Sequence, residues 1–216
     1  MAMSPDRWTA ITESQFPWER DALEYIRQGL PDRDPFRAWA TFEFIADDGS
    51  INEVDLLVLT PKGFFLTEIK NRPGAIDGDA GTWSWTFEGK RHTEDSPLLR
   101  ANKKAKRLAA LLQRQPACKK TRVPFLQPLV FCSPVDQVSH LTGLAKQGVY
   151  LRDRDASAGK APRLGILHAL AGPQTSGQLP SKNVDRPMAK VLTWAMEQAG
   201  IRPSQRHRRV GDYLLG

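Results

Sequence analysis

A mixed α/β fold, with a central sheet flanked by helices, follows from three features of the 216-residue sequence. A helical pattern precedes a series of alternating, strand-like runs. Short turns join those runs, which makes them antiparallel neighbours. A second amphipathic helix then leads into an apolar strand that returns to the same sheet. Hydrophobic residues make up 40% of the chain and charged residues 25%, enough apolar material for one substantial core and too little charge bias for wholesale disorder.

Residues 1–14 read as a lead segment. In PWERDALEYIRQGL, Trp18, Ala22, Tyr25 and Ile26 recur at helical spacing and Gly29 with Pro31 ends the pattern, which predicts a helix over 17–29. FRAWATFEFIAD and INEVDLLVLTP are alternating runs split by the turn former DDGS, the signature of a β-hairpin. After Pro61, Lys62 and Gly63, FFLTEIKN reads as a third strand, antiparallel to the second. GAIDGDAGTWSWTFEGKRH is expected to add a short hairpin with Trp83, Trp85 and Phe87 on one face, serving packing rather than base stacking. SPLLRANKKAKRLAALLQRQ predicts the second strong helix, with Ser96 as N-cap, Pro97 at the first helical position and the leucines on one face. VPFLQPLVFC is a buried strand ending near Ser133. Residues 134–200 carry weaker signals: a strand at GVYLR and helices in RLGILHALAG and DRPMAKVLTWAMEQAG, expected to pack on the core as an α/β extension. Within 201–216, PSQRHRR reads as a basic, mobile linker.

Lys and Arg outnumber Asp and Glu by 31 to 24, for a net charge of +7. That balance favours a polyanionic partner, nucleic acid first, although a modest basic excess also serves solubility. Cys118 and Cys132 form no CxxC pair, so neither a disulfide framework nor a cysteine zinc site is indicated, and a reducing cytoplasm is expected. No apolar stretch suits a signal peptide or a membrane span. A P-loop and a Gly-x-Ser-x-Gly elbow are absent, and His92, His140, His168 and His207 lack metal-ligand spacing.

Chemistry concentrates on the second and third strands. Alternation turns Glu53, Asp55 and Leu57 to one face, opposite Val54, Leu56 and Val58, and it sets Leu66, Glu68 and Lys70 together, opposite Phe65, Thr67 and Ile69. Carboxylates inside two otherwise apolar strands cost several kcal/mol to bury unless they are paired or bind a cation. Mg2+ or Mn2+ would compensate them, because both prefer oxygen ligands: Asp55, Glu68 and the main-chain carbonyl of Ile69 would leave positions for water and phosphate. Lys70 would then orient the water or stabilise the transition state of phosphodiester hydrolysis. A salt bridge of Lys70 with Asp55 or Glu68 satisfies the same spacing. On the second helix, Arg100, Lys103, Lys104, Lys106 and Arg107 form a basic cluster expected to bind nucleic-acid phosphates, with Lys119, Lys120 and Arg122 as an extension.

The helix, the hairpin, EVDLLVLTPKGFFLTEIKN and the later helix, over residues 15–133, resemble the NERD (nuclease-related) domain, a branch of the PD-(D/E)xK superfamily with its restriction-endonuclease-like core. The resemblance implies an active site of Glu19, Asp55, Glu68 and Lys70; Glu19, or Glu53 through the face that alternation gives it in common with Asp55, is a further candidate metal ligand. It also implies a Gln shortly after the start of the later helix, where this chain has Arg100. RRVGDYLLG is similar to the opening strand of protein-kinase domains, and NERD domains fused ahead of serine/threonine kinases occur in bacterial phage-defence proteins of the BREX and phage-growth-limitation type. The implied activity is Mg2+- or Mn2+-dependent hydrolysis or nicking of DNA in anti-phage defence, by part of a larger protein and alongside other defence proteins. The alternative is a catalytically weak or inactive nuclease-fold module that binds DNA or a partner protein and targets or regulates an attached kinase.

Overall fold

A computed structural model describes residues 2–156, 161–173 and 184–207. The kinase-like RRVGDYLLG lies outside the described residues. In chain order the elements are β1 (Trp8–Ala10), α1 (Pro17–Gly29), β2 (Arg37–Ile45), β3 (Ile51–Thr60), β4 (Gly63–Lys70), β5 (Ala75–Gly78), β6 (Thr82–Phe87) and β7 (Lys90–Asp95). There follow α2 (Pro97–Gln113), β8 (Leu126–Cys132), β9 (Val138–Ser139), α3 (Gly143–Lys146), β10 (Val149–Tyr150), α4 (Ile166–Ala171), α5 (Arg186–Gln198) and β11 (Arg202–Pro203).

The predicted meander is present: β2, β3 and β4 pair antiparallel in sequence order, and β8 returns parallel to β4. The main sheet runs β1-β2-β3-β4-β8-β10, and β11 pairs with Phe42 and Glu43 of β2, beyond the stretch that β1 covers. It is a mixed sheet with helices on both faces, as the alternation of strand and helix patterns requires. On one face, Phe42, Val54, Leu57 and Leu66 pack with Ala101 and Leu108 of α2 and with Leu192 and Met196 of α5. On the other, Ala40, Leu56, Val58, Phe65 and Ile69 pack with Ala22 and Ile26 of α1 and Ile166 and Leu170 of α4. Among the described residues no helix is long and apolar enough to cross a membrane.

Several details depart from the sequence-based expectations. The short hairpin is a three-stranded ribbon, β5-β6-β7, extended by β9. Trp83 and Trp85 are buried against Val130, Cys132 and Leu141, but Phe87 is 47% exposed because it sits at the ribbon's outer end. Ser96 occupies the cap position of α2 without a side-chain capping bond. Its main-chain N–H donates to the Gly81 carbonyl at 2.7 Å, which ties the helix start to the ribbon. The stretch expected to be a mobile basic linker is packed as far as His207: Arg202 meets the buried Glu43 at 2.6 Å, and Ser204 and His207 are themselves buried. Each of these side chains faces a carboxylate on β2 or β3, a pairing invisible in local composition.

One irregularity positions the site. Alternation holds from Leu56 to Leu59, with Leu56 and Val58 in one core and Leu57 and Leu59 in the other. Val54 nevertheless joins Leu57 and Leu59, so the strand changes sides at Asp55. The partner strand changes with it: Trp39 and Phe42 share a core, and Thr41 between them has φ 54°, a conformation costly for a β-branched residue. The register is kept, Ala40 facing Leu56 and Phe42 facing Val54, with the break at Thr41 and Asp55. The expected common face for Glu53 and Asp55 therefore does not form.

Candidate functional site

Strands β3 and β4 pair from the turn as far as Leu56 opposite Thr67 and then part. At the fork the Asp55 carboxylate accepts the next free main-chain donor, the Ile69 N–H, at 2.8 Å. In an extended strand the N–H and C=O of one residue point to the same edge. The Ile69 carbonyl therefore faces the fork beside Asp55, whereas the carbonyl of the following residue, Lys70, accepts from Ser133 N–H on the β8 side at 2.8 Å.

Glu68 and Lys70 share the α2 face with Leu66, as alternation predicts. The ion pair open at the sequence level is made along the strand: Lys70 Nζ lies 3.1 Å from Glu68 Oε1. The other oxygen, Oε2, accepts from Lys104 Nζ at 2.8 Å. Burial pushes the Glu68 carboxyl up, but Lys104 and Lys70 together outweigh it and hold the group below its usual range. Asp55 has no such pair. Burial, followed by repulsion from Glu68, pushes it up to about 8, with Lys104 opposing and Glu19 adding.

Glu19 enters from the first turn of α1 on the opposite face and is 1% exposed. Its Oε1 has no hydrogen-bond partner. Desolvation raises its carboxyl to about 7, with Arg206 opposing and Glu53 and Glu68 adding. Glu53 lies toward the same side and is held by the C-terminal segment: Ser204 Oγ–H donates to it at 2.6 Å and His207 Nε2 stands 3.1 Å away. His207 Nε2 is also 3.5 Å from Glu19 Oε1, without a well-directed bond to either acid.

The acidic residues predicted from sequence thus gather around one fork, Glu68 from the α2 face, Glu19 and Glu53 from the α1 face, and Asp55 between. The basic cluster does not behave as one surface. Arg100 pairs with Glu94 on the ribbon at 3.7 Å, and Arg107 donates to Asn52 Oδ1 at 3.1 Å and Asp48 Oδ2 at 2.7 Å. Lys103 and Lys106 are exposed. At 100° per residue Lys106 falls on the far flank of α2, where it lines a groove with Arg122, Val123 and Phe125. Lys104 belongs to the acidic centre, which local charge counting missed because its partner stands 36 residues earlier. His207 and Ser204 were missed for the same reason, and no local signal marks them.

Among the described residues, no three His, Cys, Asp or Glu side chains converge closely enough to hold a metal. The donors on offer at the fork are two carboxylates, Asp55 and Glu68, and the Ile69 carbonyl. These are hard oxygen ligands of the kind Mg2+ and Mn2+ accept alongside retained waters. The Glu19 oxygen without a hydrogen-bond partner and the raised Asp55 carboxyl leave a surplus of buried acid that a cation would relieve.

A forked antiparallel pair with Asp on one strand and Glu-x-Lys on the next, in this helix-flanked sheet, is the frame of a nuclease-related domain. The model of that family, NERD, matches residues 14–133, and the chain belongs to it. Over 99% of its length the chain is 37% identical to a protein of Streptomyces coelicolor named Probable kinase PglW, and it spans 13% of that protein. No solved structure gives a significant match.

Proposed function

We propose that this domain hydrolyses DNA phosphodiester bonds with Mg2+ or Mn2+ held by Asp55, Glu68 and the Ile69 main-chain carbonyl. The observation that carries this reading is the fork itself: Asp55 is fixed to the Ile69 main chain at 2.8 Å, and Lys70 is held 3.1 Å from Glu68. The ion, when bound, supplies positive charge to a phosphate oxygen and makes a water more acidic. Lys70 places an ammonium beside that position, where it stabilises charge developing on the phosphate. Glu19, raised to about 7, is matched to accept or hold a proton near neutral pH. Arg100, Lys103 and Arg107, on the flank of α2 next to the fork, are the candidates for neighbouring phosphates.

The kinase in the name of the Streptomyces coelicolor relative supports a domain joined to a kinase; action with other proteins in bacterial anti-phage defence is what the family resemblance implies. The test is cleavage of plasmid and oligonucleotide DNA with each metal. Activity should require Mg2+ or Mn2+ and be lost in Asp55→Ala and Lys70→Ala proteins that retain native circular dichroism. Cleavage persisting in both would end the proposal. The second reading, a DNA-binding or regulatory module without turnover, is favoured by Lys104 on Glu68 and by Arg100 where the family has Gln. Salt-sensitive DNA binding without cleavage under any of these conditions would support it.

A further inference from the structure

Glu68 has both carboxylate oxygens occupied by ammonium groups, Lys70 on Oε1 at 3.1 Å and Lys104 on Oε2 at 2.8 Å. The two lysines arrive differently. Lys70 sits two residues along the same strand, whereas Lys104 reaches in from α2. The Lys104 side chain is largely buried, and its charge is also felt by Asp55 and Glu53. Its neighbours one turn away on α2, Arg100 and Arg107, pair instead with Glu94 on the ribbon and with Asp48 in the β2–β3 turn.

A purely structural salt bridge would leave its surroundings balanced. Around Lys104 the balance is incomplete: Lys104 bonds to Glu68, while the neighbouring Asp55 carboxyl is still pushed up by burial and by Glu68. The lysine thus neutralises part of the acid at the fork, on the oxygen of Glu68 that Lys70 leaves free. An ion coordinated by Glu68 at roughly 2.1 Å would place two more positive charges beside that ammonium. The repulsion is steep at such distances in a poorly hydrated site.

We propose that Lys104 is the built-in counter-ion of the acidic centre, competing with a divalent metal for Glu68, so that it must leave when the metal binds and thereby sets the metal affinity of the domain. Four methylene groups give the ammonium the reach to move out, toward the flank where Lys103 is exposed. The inference rests on the metal reading above, but it concerns affinity and not turnover.

The test compares Mn2+ binding to the full chain and to its Lys104→Met variant by electron paramagnetic resonance of free Mn2+. Removing the competitor should tighten Mn2+ binding by about tenfold or more, equivalent to about 1.4 kcal/mol. A measurement on the unaltered chain stands beside it in case the variant does not fold: reductive methylation read by mass spectrometry. Lys104 should be protected in metal-free protein and become reactive with saturating Mg2+, while the neighbouring Lys103 reacts in both states. Equal or weaker Mn2+ binding by a folded variant, Lys104 labelling indifferent to Mg2+, or no Mn2+ binding by either protein would overturn the inference. Unchanged affinity with metal-dependent cleavage intact would remove this inference alone. Tighter binding with no cleavage would remove only the nuclease reading.

Discussion

The Asp55 carboxylate accepts the Ile69 main-chain N–H at 2.8 Å, so a side chain takes over the ladder where β3 and β4 cease to pair. Two substitutions should separate its structural part from its charge. Asp55→Asn keeps an oxygen acceptor for Ile69 and removes the repulsion with Glu68, so the metal-free protein should melt higher at about pH 8, where the native carboxyl is about half ionised. Asp55→Ala leaves the buried N–H unpaired and should cost about 1–3 kcal/mol. Scanning calorimetry in the presence of a chelator measures both, and a lower melting temperature for the Asn variant would contradict the charge surplus.

That surplus also sets a pH dependence. The carboxyls of Asp55 and Glu19 are raised in the folded state from 3.8 to about 8 and from 4.5 to about 7. Groups raised on folding contribute stability that is complete below their unfolded values and is lost as pH climbs through the folded ones. His207, lowered by burial, has the opposite sense, but its contribution is lost only as pH falls below its ordinary range. Metal-free protein should therefore lose stability as pH rises from about 4–5 to about 8, with His207 offsetting part of the loss below its ordinary range, and Mg2+ or Mn2+ should restore it. Denaturant titrations across that window test this; a flat or rising profile would refute it.

Surroundings distinguish two lysines that composition treats alike. Lys103 lies on the exposed crest of α2, within about 60° of Arg100, Arg107 and Lys106 alike, whereas Lys106 lines the groove with Arg122. Lys103→Ala should weaken DNA binding and lower the log–log salt slope by about one, whereas Lys106→Ala should leave both unchanged. Fluorescence anisotropy at several salt concentrations reads the slopes, and equal effects would return α2 to a uniform basic surface.

The C-terminal segment should matter to stability. Arg202 Nε donates to Glu43 Oε1 at 2.6 Å, and Glu43 is almost wholly enclosed. Arg202→Ala leaves that carboxylate, among the described residues, with the Gln205 N–H at 3.2 Å and should cost about 2 kcal/mol. For a chain of this size that is about 4–8 °C in melting temperature. A shift within error in a thermal melt would show that β11 is dispensable.

Local pattern by itself determined the helix over 17–29, the three-strand meander, the α2 amphipathic stripe and the shared face of Glu68 and Lys70. Periods of 2 and 3.6 residues repeat within short windows, so neighbouring residues carry that information. Three features of the site were decided only by tertiary structure. Thr41, on another strand, shares the break that separates Glu53 from Asp55, and strict alternation could not anticipate it. Lys104 was legible as a charge but not as the partner of Glu68, because helix phase and the packing of α2 on the sheet select it over Lys103. His207 reaches Glu53 only after α5 has docked and β11 has paired with β2. Contacts between distant parts of a chain depend on where whole elements come to rest, and no local period encodes that.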